Sequence, residues 1–321
     1  MTTYLVTGGA GFVGSHIATA LVRRGDTVRV LDNFSTGHPD NLEHIRDQIQ
    51  LIEGELTEPT DVAAAVAGVD CVFHQAALAS VPRSVKEPLE THAACVTGTL
   101  TLLDAARRAR VRRVVYAGSS SAYGNQPTAS KRESDPPNCL SPYAAAKLAG
   151  EHYCQAYSAT FGLETVCVRY FNVFGPRQDP NSEYSAVVPM FITAMLAGRR
   201  PTIYGDGTQS RDFTYVDNVV HGNLLAAEAA GAVGRTINVA NGRTTTLLEL
   251  IGLLNRFLGT DIQPVFAPAR TGDVKDSQAD ITLARRLLGY EPQVRFEEGV
   301  SRSIDYYREA RAAADARLLA R

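Results

Sequence analysis

The chain has 321 residues, 21% of them charged and 45% hydrophobic, with a formal net charge of -2. That is a globular balance, and Lys and Arg are too scattered to mark a nucleic-acid or membrane surface. The densest basic run, from Arg107 to Arg113, closes an Ala/Leu-rich helical pattern, where cations offset the helix dipole.

Short β-type runs and helical patterns alternate through the first half. Strands are expected at residues 4–6, 27–31, 50–52, 69–73, 114–117 and 165–168, and helices at 12–24, 61–67, about 89–110 and 142–161. This βαβα order with β-branched strands predicts an α/β, doubly wound parallel sheet covered on both faces. After Gly175 the pattern loosens into short strands (202–203, 236–239, 263–266) and helices (216–230, 247–258, 281–288). The expected division is a dinucleotide-binding domain at 1–175 and a smaller C-terminal α/β lobe at 176–321, with the chain free to cross back. That lobe should close over the carboxyl edge of the sheet. The Ala/Arg-rich tail from Arg308 reads as an exposed helix or a frayed end.

The five cysteines are odd in number and include no CxxC pair, so neither a disulfide framework, a zinc site nor any other metal is expected. No apolar stretch is long enough to span a bilayer, and no basic leader precedes the first strand. The expected compartment is the cytoplasm.

After the first strand, Gly8, Gly11 and Gly14 stand at GxxGxxG spacing before a helix. Gly8 allows the tight turn, Gly11 lets a pyrophosphate approach the helix N-terminus, and Gly14 lets helix and strand pack closely. Asp32 ends the second strand, eighteen residues past Gly14, and no Arg or Lys follows at Asn33 or Phe34. A carboxylate there accepts from ribose hydroxyls and repels a 2′-phosphate, so the expected cofactor is NAD rather than NADP.

Tyr143 and Lys147 lie four residues apart on a helix and share a face. A nearby ammonium, with the charge of an oxidised nicotinamide, is expected to bring the phenol towards neutrality as a general base. One strand earlier the run Ser119-Ser120-Ser121 puts small hydroxyls at a strand's carboxyl end, where doubly wound folds hold their chemistry.

The blocks TGGAGFVGSH, LDNFSTG, VFHQAA, GSSSAYG, SPYAAAK, RYFNVFGPRQDP, GDGTQSRDFTYVDN and RTGDVKDSQAD occur in this order. Together they resemble the nucleotide-sugar 4-epimerases of the extended short-chain dehydrogenase/reductase family, across nearly the whole chain, and they imply a Rossmann fold. By this resemblance Ser119, Tyr143 and Lys147 are the catalytic set, with Ser120 also touching substrate. Cofactor contacts implied are Gly8, Gly11, Phe12, Val13, Asp32, Asn33, the Ser35-Thr36-Gly37 turn, Glu55, Leu56, Gln75, Ala76, Ala77, Tyr143, Lys147 and Phe171. On the sugar-nucleotide side Asn172, Arg211 and Arg270 would hold the diphosphate and Asp273 the uridine ribose. Ala186, Val187, Thr202 and Tyr204 would pack the uracil and ribose. The family pattern is departed from at Cys95, where Asn is usual, and at Glu55, where Asp is usual.

The activity implied is 4-epimerisation of a UDP-hexose. Ser277 stands where a Tyr restricts the pocket in related epimerases, so the small side chain leaves room for a 2-acetamido group. With the segment 75–84, which includes Ser80, this points to the UDP-N-acetylglucosamine/UDP-N-acetylgalactosamine pair, with UDP-glucose/UDP-galactose as a second pair. Alternatives are a UDP-glucuronate epimerase or decarboxylase, for which Arg83 could hold the C6 carboxylate, and a nucleotide-sugar 4,6-dehydratase. Ser120-Ser121 lack the acid-base pair the last reaction needs. A non-catalytic NAD sensor would usually have lost the Tyr or Lys. The two long helices, apolar on more than one face, imply a homodimer.

Overall fold

The glycine-rich turn follows β1 (Thr3–Thr7) and opens α1 (Phe12–Arg23), with Gly8 at φ +66° and Gly11 as the extended N-cap. The chain continues through β2 (Thr27–Asp32), β3 (Ile49–Glu53), α2 (Pro59–Val66) and β4 (Cys71–His74). Next come α3 (Val81–Lys86), α4 (Pro88–His92), α5 (Gly98–Arg108), β5 (Arg113–Ser119), the short β6 (Ser130–Lys131), α6 (Pro142–Phe161), β7 (Glu164–Tyr170) and the short β8 (Val173–Phe174). This computed structural model describes residues 2–180, 186–269 and 275–319.

Beyond β8 lie α7 (Val187–Leu196), β9 (Thr202–Tyr204), β10 (Ser210–Arg211), β11 (Thr214–Tyr215), α8 (Val216–Glu228) and β12 (Arg235–Val239). They are followed by β13 (Thr245–Thr246), α9 (Leu247–Leu258), β14 (Val265–Ala267), β15 (Asp276–Ala279), α10 (Thr282–Leu288) and α11 (Phe296–Leu319).

Among the described residues, seven strands form one sheet in the order β12-β7-β5-β4-β1-β2-β3, all parallel. The order reverses between β1 and β4, which is where a doubly wound sheet opens a crevice at its carboxyl ends. The fold is therefore the Rossmann type expected from the alternation. The inner strands β1, β4, β5 and β7 are buried on both faces. Leu5, Val72 and Val114 pack with α2, α5 and α6, whereas Val6, Phe73 and Val115 turn to the side of α1 and α8. β12 returns from the second half of the chain to pair with β7.

β8, α7, β9, α9 and α11 build a second core, with Phe174, Phe191, Ile203, Phe213, Leu250 and Phe296. A small sheet in the order β13-β10-β15-β6 sets Arg211 beside Ser277 in parallel register. The polar stretch after Gly175 gives way to α7, an apolar helix that periodicity did not reveal.

The long helix expected at about 89–110 runs from Pro88 to Arg108 but contains a π-helical turn, Ala93–Thr97. That turn carries Cys95, 1% exposed and packed with Val96 and Ala146. Such extra-residue turns re-aim side chains and recur next to functional sites. The described part of the C-terminal tail, 308–319, is the end of α11.

Candidate active site

A cleft of about 1200 Å³ opens at the carboxyl ends of β1, β2, β4 and β5. Its floor is the glycine turn. A Cβ on Gly14 would stand 2.1 Å from the Gly8 carbonyl oxygen, and one on Gly8 2.6 Å from the Ala76 backbone. A Cβ on Gly11 would meet only the Gly8 oxygen, at 3.1 Å, so the N-terminus of α1 remains open to a ligand.

Asp32 is buried, and its carboxylate accepts from the Ala10 and Phe34 amides at 2.8 and 2.9 Å. Burial nevertheless raises its pKa above the usual carboxylate value. Asn33 donates to Glu55 at 2.5 Å, so the longer acid still reaches the turn after β2. Phe12, Val13, the 35–37 turn, Leu56, Gln75, Ala76, Ala77 and Ser80 also line the cleft. The Ser80 hydroxyl caps α3, accepting from the Arg83 amide at 3.1 Å. These residues fit a dinucleotide: an open helix N-terminus for its pyrophosphate and a buried carboxylate at the end of β2.

Phe171 does not face this space. It is fully buried against Tyr123, with ring centroids 6.0 Å apart, while Tyr170 lines the cleft. Tyr170 is the last residue of β7 and Phe171 the next, and consecutive residues of an extended chain point to opposite sides. The Tyr170 hydroxyl donates within a cluster formed with Gln75 (3.1 Å) and Asn223 (2.9 Å). Sequence reading missed Tyr170, whose signal was its place beside Phe171 in the RYFN block.

At the inner end, Ser141 caps α6 by accepting from the Ala144 amide at 3.1 Å, and Pro142 occupies the first turn. Tyr143 and Lys147 then both line the cleft. Ser119, the last residue of β5, donates to Ser121 Oγ at 3.1 Å; it lines neither cavity, and its hydroxyl acts on the Tyr143 phenol as a neighbour that lowers the phenol's pKa. Ser120 opens the turn that follows β5 and lines neither this cleft nor the neighbouring cavity.

The expected lowering of the Tyr143 pKa is not present in the protein alone. Desolvation pushes it up to about 12, the buried Cys95 thiol adds to that, and the Ser119 hydroxyl opposes it. Lys147 is 3% exposed and donates to the Ala117 carbonyl at 2.8 Å. Burial lowers its pKa.

A second cavity of about 250 Å³ is lined by Asn172, Ala186, Val187, Thr202, Tyr204 and Arg211, and Ala186 borders the main cleft as well. Asp212 anchors this region: it is buried and accepts from the amides of Asn241 (2.9 Å), Gly242 (2.9 Å) and Ala279 (3.2 Å). Ser277 is held next to Arg211 but lines neither cavity. Arg270 and Asp273 lie outside the described residues. Arg83 reaches the main cleft but is already ion-paired to Glu87 at 2.8 Å and Glu90 at 3.2 Å.

Residues 4–240 match the model of the NAD dependent epimerase/dehydratase family. The chain belongs to that family. NAD is thus its cofactor, in keeping with the open helix N-terminus and Asp32. The chain is similar to a UDP-glucose 4-epimerase of Mycolicibacterium smegmatis, 39% identical over 95% of this chain and 98% of the relative. A solved UDP-N-acetylglucosamine 4-epimerase from Methanobrevibacter ruminantium, in complex with UDP-N-acetylmuramic acid, superimposes with a TM-score of 0.92. It is 39% identical, over 96% of this chain and 99% of that one. A UDP-glucuronic acid 4-epimerase from Bacillus cereus, in complex with UDP-glucuronic acid and NAD, gives a TM-score of 0.89 at 32% identity, over 96% and 100%. The similarity spans both cores, and it is to isomerases that act on UDP-sugars. Among the described residues, no helix is long and apolar enough to cross a membrane.

Proposed function

We propose that this enzyme interconverts C4 epimers of a UDP-hexose, with UDP-N-acetylglucosamine/UDP-N-acetylgalactosamine as its main pair and UDP-glucose/UDP-galactose also accepted. The observation that carries this reading is the convergence of Tyr143 and Lys147 on the cofactor cleft, at the end of the strand that presents Ser119. Tyr143 takes the proton of the sugar 4-hydroxyl and Ser119 holds the oxygen in place. Lys147 supplies positive charge and would hold the nicotinamide ribose. Held at the α1 N-terminus and by Asp32, NAD would supply the hydride acceptor and donor for C4 and a further positive charge near the phenol.

Turning the 4-keto sugar over requires an anchor that does not move. Asn172 and Arg211 border the second cavity and serve as that anchor, with Arg270 and Asp273 assigned to it by family resemblance. Ala186, Val187, Thr202 and Tyr204 hold the uridine there. Ser277, next to Arg211, leaves room for the acetamido group. A C6 carboxylate is disfavoured: Arg83 is neutralised by two glutamates, and Glu87, Glu90 and Asp179 border the cleft.

The chain divides into the NAD-binding part at 1–175, completed by β12, and a substrate lobe from 176. A homodimer is supported by Leu89, Tyr153 and Phe161, which α4 and α6 leave exposed. The cytoplasm is the proposed compartment, in keeping with five free cysteines. The test is to incubate the protein separately with UDP-N-acetylglucosamine, UDP-glucose and UDP-glucuronate and read products by NMR. Epimers of the first two are expected; a pentose product, or turnover of the uronate alone, would refute the reading.

A further inference from the structure

Tyr143, Lys147 and Glu151 repeat at four-residue spacing along α6, so they lie on one stripe of the helix. The proposed chemistry uses the first two only. Glu151 is 1% exposed and Arg169 on β7 is 5% exposed. Their pairing is bidentate: Arg169 Nε reaches the two carboxylate oxygens at 2.9 and 3.1 Å, and Nη2 reaches one at 2.7 Å. A buried pair of this kind carries a heavy desolvation cost, and is weak evidence of stabilisation by itself.

The stripe meets three successive residues of β5. The Ala117 carbonyl accepts from Lys147, Gly118 faces Glu151, and the Ser119 hydroxyl is a neighbour that lowers the Tyr143 pKa. A Cβ on Gly118 would stand 2.8 Å from Glu151 Oε1, so the glycine admits the carboxylate to this place. Gly118 is also the register partner of Arg169. On its other side the Arg169 guanidinium lies 4.7 Å from the ring centroid of Tyr123, the end of the turn that begins just after Ser119. The Tyr123 hydroxyl is fixed in turn by Asn238 Oδ1 at 2.7 Å.

We infer that Glu151, clamped by Arg169, is a positioning residue that holds the Lys147 charge and the Ser119 turn in working geometry. The inference rests on the proposed roles of Tyr143 and Lys147. The groups that act on the buried ammonium are Cys95 from the π-helical turn, Glu151 and Cys154 from α6, and Cys167 from β7. Tyr116 of β5 lies under it at 4.9 Å, and His74 of β4 feels its charge. Around the pair itself stand Tyr123, Glu133 and Cys139. Thiols and phenols are uncharged near neutrality, so Glu151 is the carboxylate in this set that favours the charged ammonium.

The experiment compares wild type with Glu151→Gln and with the double variant Glu151→Gln/Arg169→Met, which leaves no buried charge unpaired. Turnover of the UDP-sugar is followed against pH beside thermal unfolding and NAD content. In both variants the alkaline limb of the kcat profile, where Lys147 loses its proton, should move down by about one pH unit, kcat should fall about tenfold, and KM should change little. The double variant should recover melting temperature relative to the single one without recovering the pH profile. Wild-type kcat and profile in either folded, NAD-loaded variant would overturn the inference, and so would failure of both to fold, which would make the pair structural only. Tyr143→Phe run in parallel separates the two levels. If it retains turnover, the site reading itself fails; if it is inactive while the Glu151 variants behave as wild type, only this inference fails.

Discussion

The ammonium of Lys147 donates to the carbonyl oxygen of Ala117 at 2.8 Å, two residues before Ser119 on the same strand. Helix α6 is thereby tied to the strand end that presents the serine. Lys147→Met would keep the buried stem and remove the charge. We expect kcat to fall by about 10²- to 10⁴-fold, the range typical of groups that serve proton transfer. Folding stability should hold or rise, because a desolvated ammonium is no longer buried. Steady-state kinetics beside thermal unfolding checks both directions.

The Ser119 hydroxyl opposes the burial that pushes the Tyr143 phenol's pKa up to about 12. Ser119→Ala takes away the interaction that lowers it. Turnover should drop about 10- to 100-fold, since hydrogen bonds to developing charge are worth about 1.5–3 kcal/mol. KM should change little if the interaction strengthens chiefly in the transition state. An equal rise in KM at constant kcat would assign Ser119 to binding alone.

Two glycines make a contrast in one type of substitution. Gly14→Ala would drive a Cβ to 2.1 Å from the Gly8 oxygen, so α1 must move off the glycine turn. We expect a loss of about 2–3 kcal/mol in stability and loss of bound NAD. Gly252→Ala, inside α9 with nothing within 4 Å of the new Cβ, should leave NAD binding intact and stabilise by about 0.5–1 kcal/mol. Equilibrium unfolding and cofactor content after purification measure both.

His74 titrates in the opposite sense to a paired histidine. It is buried at the end of β4, its Nδ1 2.7 Å from Thr7 Oγ1 and its Nε2 2.9 Å from Thr99 Oγ1. Burial, then the Lys147 charge, push its pKa down to about 3. The folded state therefore binds fewer protons than the unfolded chain between that value and the ordinary 6.5. Its contribution is complete above pH about 6.5 and is lost as pH falls towards 3. Melting temperature between pH 7 and 4 should decline less steeply in His74→Asn than in wild type. Equal slopes would contradict this.

Much of the fold was legible because local chemistry agreed with it. Helix α6 begins at Ser141-Pro142 and ends at Gly162, and α9 opens on a Thr246–Glu249 capping box, so both helices fall where periodicity put them. α7 was not legible, because a helix that is mostly buried shows little alternation. The π-helical turn at Ala93–Thr97 leaves no trace in spacing. Spacing and context were enough to bring the glycine loop, Asp32 and Tyr143/Lys147 to one cleft. Side-chain direction was not, so Phe171 was assigned where Tyr170 stands. The high pKa of Tyr143 depends on burial, which spacing does not contain.

The central claim is that the hydride leaves C4 and returns to C4 within one bound cofactor. UDP-N-acetylglucosamine carrying deuterium at C4 tests it directly, with the product analysed by NMR and mass spectrometry. The expected result is UDP-N-acetylgalactosamine with the deuterium retained in full at C4 and no free NADH. Loss of the label to solvent, or no C4 epimer from this or the unlabelled UDP-glucose, would contradict it.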